Sequence, residues 1–358
     1  MPQTIPINTA PPLKQLWFTR CPVPTATGLA YKLGWLKDEF AQDGIRVATI
    51  QEAPSELRRH HYDHELPTLI REGGSLLALA ARAQGAKTRL IGLTWIDEWQ
   101  AILVRPGSAI SSPRDLKGLR IALPAYVERE IPSHIRGSSI ARGMTLQGIK
   151  GALAHDGLTL DDVDFIEVGS GQGASASENF GSLWAGLDHL ARGEVDAVYV
   201  KGASAVDAAE RIGAVVGIDL DAFRDKKYRV NNGTPRPITV HEDLLTNHFD
   251  IVARFLAQTL RAADWAKSNL SAVHDILQAE TYSAGSGVKT AYRNNFHRSL
   301  QPSLSDELID LFQLQKKFTL LHGFLDRDFD LESWIDRGPL VAASKILEER
   351  NVLQQQAA

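Results

Sequence analysis

One cysteine, two methionines, 7% aromatic residues and no block of like charge are what this 358-residue chain has least of. The first and the last of these close off classes of function. A lone Cys21 forms no internal disulfide, so the chain is not a disulfide-stapled scaffold, and a free thiol agrees with a reducing compartment. With a formal charge of -4 and no Lys/Arg cluster, there is no electrostatic footprint for nucleic acid or an anionic membrane surface. No apolar run approaches the length of a membrane span. The opening stretch MPQTIPINTAPPLKQLWF lacks a basic segment followed by an apolar one. The expectation is a soluble, cytoplasmic protein.

What is there is a long succession of α/β units. The run KQLWFTR (14–20) reads as a strand that ends at Cys21, followed by Leu29, Leu33, Leu36 and Phe40 at helical spacing and a second strand at 45–51. The pattern continues through LPTLIREGG, the helical SLLALAARAQG, the strand TRLIGLTW (88–95) and AILVRPG (101–107). A fresh cycle opens at SSPRDLKGLRIALP, with a long helix over 136–155 and strands in DVDFIEVGSG, EVDAVYVKG and RIGAVVGIDL. The Asn/Gly/Pro-rich VNNGTPRPITV (230–240) reads as a return crossing, and helices fill the rest. The predicted fold class is α/β with two lobes and a ligand cleft between them. Residues 1–106 and 235–358 would form the first lobe and 107–234 the second. In such folds, loops at strand ends face the ligand.

By residue type, a single cysteine is more often an inert small hydrophobe than a nucleophile. Its place at a strand end, between Arg20 and Pro22, argues the other way. The run His60-His61-Tyr62-Asp63-His64 invites a metal, but it has no HExxH spacing and no second ligand cluster, so the expectation is no metal. GSGQG (169–173) lacks the Lys-Ser/Thr of a phosphate loop and reads as a turn. Arg71 alone would pass for a surface residue; its place in REGG, after a helix-like LPTLI, makes it a candidate.

Taken together, CPVP (21–24), His61, REGG (71–74), KTRLIGLT (87–94), DLKGLRIAL, GLTLDDVDF, ARGEVDAVY and FHRSLQPSLSDELIDLFQLQ resemble the 2'-hydroxybiphenyl-2-sulfinate desulfinase family. The likeness spans most of the chain and is patchy between 125 and 185. It implies a fold similar to type II periplasmic binding proteins, a group that includes binding proteins for sulfonates, taurine and nitrate. It also implies a cofactor-free desulfinase that cleaves the carbon–sulfur bond of an aryl sulfinate and releases sulfite. On that resemblance Cys21 is either the nucleophile or the acid that protonates the ipso carbon, His61, chosen over His60 and His64 by counting back from REGG, orients or activates it, and Arg71 with the backbone of Gly73 and Gly74 fixes the sulfinate oxygens. These residue types suit the task. A thiol needs a neighbouring base or cation, a guanidinium grips two oxygens at once, and glycine lets backbone approach closely.

The chain departs from the family in carrying Arg20 before the cysteine and YVKGA at 199–203, where the family has aromatic bulk. Arg20 and Lys201 are therefore further substrate-binding candidates, with Tyr62 added as an aromatic one, and Lys201 points to a more polar or acidic substrate. Trp95 and Trp184 are aromatic candidates for the pocket. The partner is expected to be a small anionic sulfur compound, and a monomer is the default state. The competing reading is a binding protein for such anions without catalysis.

Overall fold

The computed structural model describes residues 12–19, 23–126, 139–169, 184, 186–281, 283–293 and 295–357. Arg20, Cys21 and residues 170–173 of the GSGQG turn lie outside them.

Among the described residues ten strands can be followed: β1 (Gln15–Thr19), β2 (Arg46–Thr49), β3 (Leu69–Glu72), β4 (Thr88–Thr94), β5 (Gln100–Val104), β6 (Arg120–Pro124), β7 (Asp164–Val168), β8 (Val198–Lys201), β9 (Val215–Asp219) and β10 (Arg236–His241). The first sheet has the order β2-β1-β3-β10-β4. β1 is parallel to β2 and β3, and β10 runs antiparallel to both β3 and β4. In the second lobe β6 and β7 are parallel, and β5 runs antiparallel to both β8 and β9. A parallel bridge between Ile121 and Ala197 joins β6 to the residues leading into β8.

Both lobes therefore repeat one plan, a parallel sheet with a single antiparallel strand next to its edge. The antiparallel strand of each lobe comes from the chain that has just crossed over. β5 carries the first crossing into the second lobe, and β10 carries the return. This corrects the expected lobe boundary at 106: the chain leaves the first sheet after Thr94 and is already in the second at Gln100. β4 and β5 are both apolar and nearly contiguous in sequence, so periodicity alone does not tell which sheet each joins.

The central strands are buried on both faces, every residue of β3, β5 and β10 included, as expected of sheets covered by helices on each side. The predicted Leu/Phe stripe belongs to two short helices, Ala26–Lys32 and Trp35–Ala41, separated by Gly34 at φ 79°. Leu29, Leu36 and Phe40 are buried, and Leu33 at the break is only partly so. Phe18 of β1 packs edge-on against Tyr31 and Phe255, with ring centroids 5.0 and 5.9 Å away. The helix Phe249–Ala266 lies between Ala26–Lys32 and the C-terminal helix Gly338–Ala357. Glu39 clamps this layer by accepting from Arg254 and Arg350, both at 2.7 Å. Burial works against its charged form, but the arginine bonds outweigh it and hold its pKa low.

Among the described residues no helix is long and apolar enough to cross a membrane.

Candidate functional site

A cavity of about 210 Å³ takes its walls from both lobes. The first lobe supplies Val23, His61, Arg71, Gly74, Leu77 and Arg236; the second supplies Ile140, Met144, Trp184, Lys201 and the turn Gly202–Ser204. The two crossings add Glu98 and Asn232.

His61 sits on the short helix His60–Asp63, and of the three neighbouring histidines it alone reaches the cavity. His60 is held by Asp63 at 2.7 Å. His64 takes the left-handed conformation (φ 59°) and donates from Nε2 to the His61 carbonyl at 3.2 Å. The polar run is thus explained by local bonds, and among the described residues no three His, Cys, Asp or Glu side chains converge as metal ligands. His61 keeps accessible surface where its ring borders the cavity, yet it lies deep in protein. Desolvation first, and then the charge of Arg71, push its pKa down to about 3. At neutral pH it is an uncharged imidazole, and its enclosed Nδ1 has no hydrogen-bond partner among the described residues. Tyr62 packs edge-on behind that ring at 5.1 Å and does not line the cavity, contrary to its expected role as a substrate contact.

Arg71 is 1% exposed. It is placed by β3, where it stands opposite Thr19 on one side and Thr239 on the other. Its guanidinium lies across Gly73; a Cβ there would come within 2.8 Å of Arg71 Cζ. Gly73 therefore has a reason to be glycine, though not the expected one. Its N–H donates to the Pro237 carbonyl at 3.3 Å and is spent on the sheet. Gly74 N-caps the helix Ser75–Ala83, and a Cβ on it would meet the Asn232 amide at 2.5 Å. Asn232 Oδ1 accepts from Leu76 N at 3.0 Å, so the missing Cβ lets a distant side chain satisfy the helix end. With Gly74 and Leu77 on the cavity wall, the positive end of that helix dipole borders the cavity.

Lys201, at the end of β8, is on the wall but does not point a free ammonium into it. Its Nζ donates to the Asn232 carbonyl (3.0 Å) and Thr234 Oγ1 (2.8 Å), and pairs with Glu98 at 3.4 Å. A lysine has three donors and all are engaged. Burial lowers its pKa against the opposing pull of Glu98. Glu98 in turn accepts from the Tyr292 hydroxyl at 2.7 Å. The expected substrate contact is thus a strut that ties the return crossing to β8.

Of the aromatic candidates, Trp184 lines the cavity and donates to Ser204 Oγ at 3.2 Å, whereas Trp95 bonds Asp97 at 2.7 Å in a separate apolar cluster. Cys21 and Arg20 lie outside the described residues. The nearest described residues on either side are Thr19, in register with Arg71, and Val23, on the cavity wall. Sequence reading missed Arg236, Glu98 and Asn232. Arg236 sits in TPRP, where alternating prolines suggest only a strand start.

Residues 26–269 match the family model described as NMT1/THI5 like. The chain belongs to the NMT1/THI5-like family. It is 25% identical over 351 residues to the 2'-hydroxybiphenyl-2-sulfinate desulfinase of Rhodococcus erythropolis, covering 89% of this chain and 90% of that one. The desulfinase of Rhodococcus qingshengii matches to the same extent. Among solved structures, a variant of the desulfurization enzyme DSZB in complex with biphenyl-2-sulfinic acid superimposes with a TM-score of 0.73 at 23% identity, over 92% of this chain and 99% of that one. The periplasmic aliphatic sulphonate binding protein SsuA of Escherichia coli superimposes with a TM-score of 0.65 at 15% identity, over 91% and 92%. The fold of this chain is that of the periplasmic binding proteins, as the resemblance implied.

Proposed function

We propose that this protein is a cofactor-free desulfinase that converts a sulfinate and water to the parent hydrocarbon and hydrogen sulfite, R–SO2⁻ + H2O → R–H + HSO3⁻. The observation that carries the reading is an uncharged imidazole, His61, whose buried Nδ1 has no hydrogen-bond partner among the described residues, beside a deeply buried arginine, Arg71, on the wall of one cavity. The 25% identity to named desulfinases over most of both chains supports it.

In this reading the sulfinate oxygens lie against Arg71 and the N-terminus of the helix Ser75–Ala83, and Cys21 supplies the thiol. The bound anion offsets the charge of Arg71, which raises the proton affinity of His61. His61 takes the thiol proton, and the thiolate attacks the substrate sulfur to form Cys–S–SO2⁻. The carbon–sulfur bond breaks with its electron pair on carbon, and the proton passes from His61 to that carbon. Water then cleaves the sulfur–sulfur bond, which restores the thiol and releases hydrogen sulfite. No redox partner is needed. In the other mechanism open to the same residues, the thiol protonates the ipso carbon directly and water takes up the sulfur group.

The second reading, an anion-binding protein without catalysis, draws support from the shared two-lobed fold. Sulfite assays on a panel of aryl and alkyl sulfinates separate the two. Turnover supports the enzyme; tight binding of sulfinates and sulfonates without sulfite supports the binding protein.

A further inference from the structure

Arg236, 4% exposed, is a buried cation on the cavity wall with no hydrogen-bond or ion-pair partner among the described residues. Its Nε is fully enclosed and unbonded. The other charges nearby are accounted for. Lys201 and Glu98 pair with each other at 3.4 Å. Glu72 is buried and lies near enough for Arg236 to pull its pKa down against the larger upward push of burial, and among the described residues it forms no salt bridge with the guanidinium. The site is built for the arginine. The turn Asn231–Thr234 places Gly233 at φ 78°, and a Cβ there would come within 2.7 Å of Arg236 Nη2. The guanidinium therefore rests against bare backbone on the cavity wall.

A buried, unpaired guanidinium is costly unless a ligand completes it. We propose that Arg236 binds a second anionic group on the substrate, a carboxylate, so that the preferred ligand is a carboxylated arene- or alkanesulfinate rather than a simple one. This rests on the desulfinase reading, in which Arg71 takes the sulfinate end. The planar fork of Arg236 matches a carboxylate in two-pronged geometry.

The test compares benzenesulfinate with 2-, 3- and 4-carboxybenzenesulfinate, by calorimetry for Kd and by sulfite release for kcat/KM. The native protein should bind at least one carboxylated isomer tenfold or more tighter than benzenesulfinate. Arg236→Gln should bring that ratio close to one, and Arg236→Lys, which keeps charge but loses the fork, should retain part of it. Because the ratio is taken within each variant, a general loss of folded protein does not mimic the effect. Equal affinities in the native protein would overturn the proposal. So would Arg236→Gln weakening all four ligands by the same factor, which would make Arg236 a sulfinate contact. A carboxylate preference that depends on Arg236, with no sulfite from any ligand, would overturn the desulfinase reading and leave this assignment standing.

Discussion

His61 gives the most quantitative consequence of the site. Its pKa falls from 6.5 to about 3 on folding, through desolvation and the charge of Arg71. Between those values the unfolded chain binds a proton at this position that the folded protein does not, so stability is full above pH 6.5 and declines as pH falls. At pH 5.5, one unit below the unfolded value, the loss is about 1.4 kcal/mol. The perturbation is His61→Gln, which removes the titration. Denaturant unfolding of both proteins at pH 7.5 and pH 5.5 isolates the contribution, because every other titrating group is common to the two. The native protein should lose about 1.4 kcal/mol more than the variant over this interval. Nitrogen NMR of labelled histidines should show one imidazole, missing in the variant, that stays neutral through pH 5. Equal losses in the two proteins, or a His61 that titrates near 6.5, would refute the argument from burial and Arg71. Saturating benzenesulfinate should move the same imidazole upward, since the anion cancels the field that holds it down.

Gly73→Ala should drive its Cβ into the Arg71 guanidinium, now 2.8 Å from that position. The expected result is a sulfinate Kd weakened tenfold or more with a stability loss of only about 1 to 3 kcal/mol, read by calorimetry and denaturant melts. Gly74→Ala should displace Asn232 from Leu76 N and cost a similar amount, mainly in stability. Lys201→Met leaves Glu98 buried without its cation and should destabilise by about 3 to 5 kcal/mol in urea melts. Adding Glu98→Gln to that variant should recover part of the loss.

The layer plan was readable from the chain because strands such as QLWFT and TRLIGLT and the helix SLLALAARA carry their burial in their own apolar patterns. The first crossing was not. β5 joins a sheet assembled from β8 and β9, about a hundred residues downstream, and nothing within QAILV says so. The site divides the same way. Arg71 could be singled out from its place in REGG, and His61 from the resemblance carried by CPVP and REGG on either side of it. Lys201 was visible as a charge at a strand end, but its engagement by Asn232, Thr234 and Glu98 depends on contacts distant in sequence. Arg236 was overlooked for the converse reason. An arginine by itself reads as exposed, and its isolation becomes visible only when β10 is threaded between β3 and β4. The glycines of REGG show how a correct residue can carry a different physical reason. Gly73 makes room for a guanidinium and Gly74 for an amide, while the N–H of Gly73 belongs to the sheet.

The measurement that bears most directly on the central claim is sulfite release from aryl and carboxyaryl sulfinates by the native protein and by Cys21→Ser. Multiple turnovers by the native protein, abolished in a folded Cys21→Ser variant that still binds the sulfinate, are what the account predicts. Sulfite produced equally by both proteins, or by neither while binding persists, would contradict it.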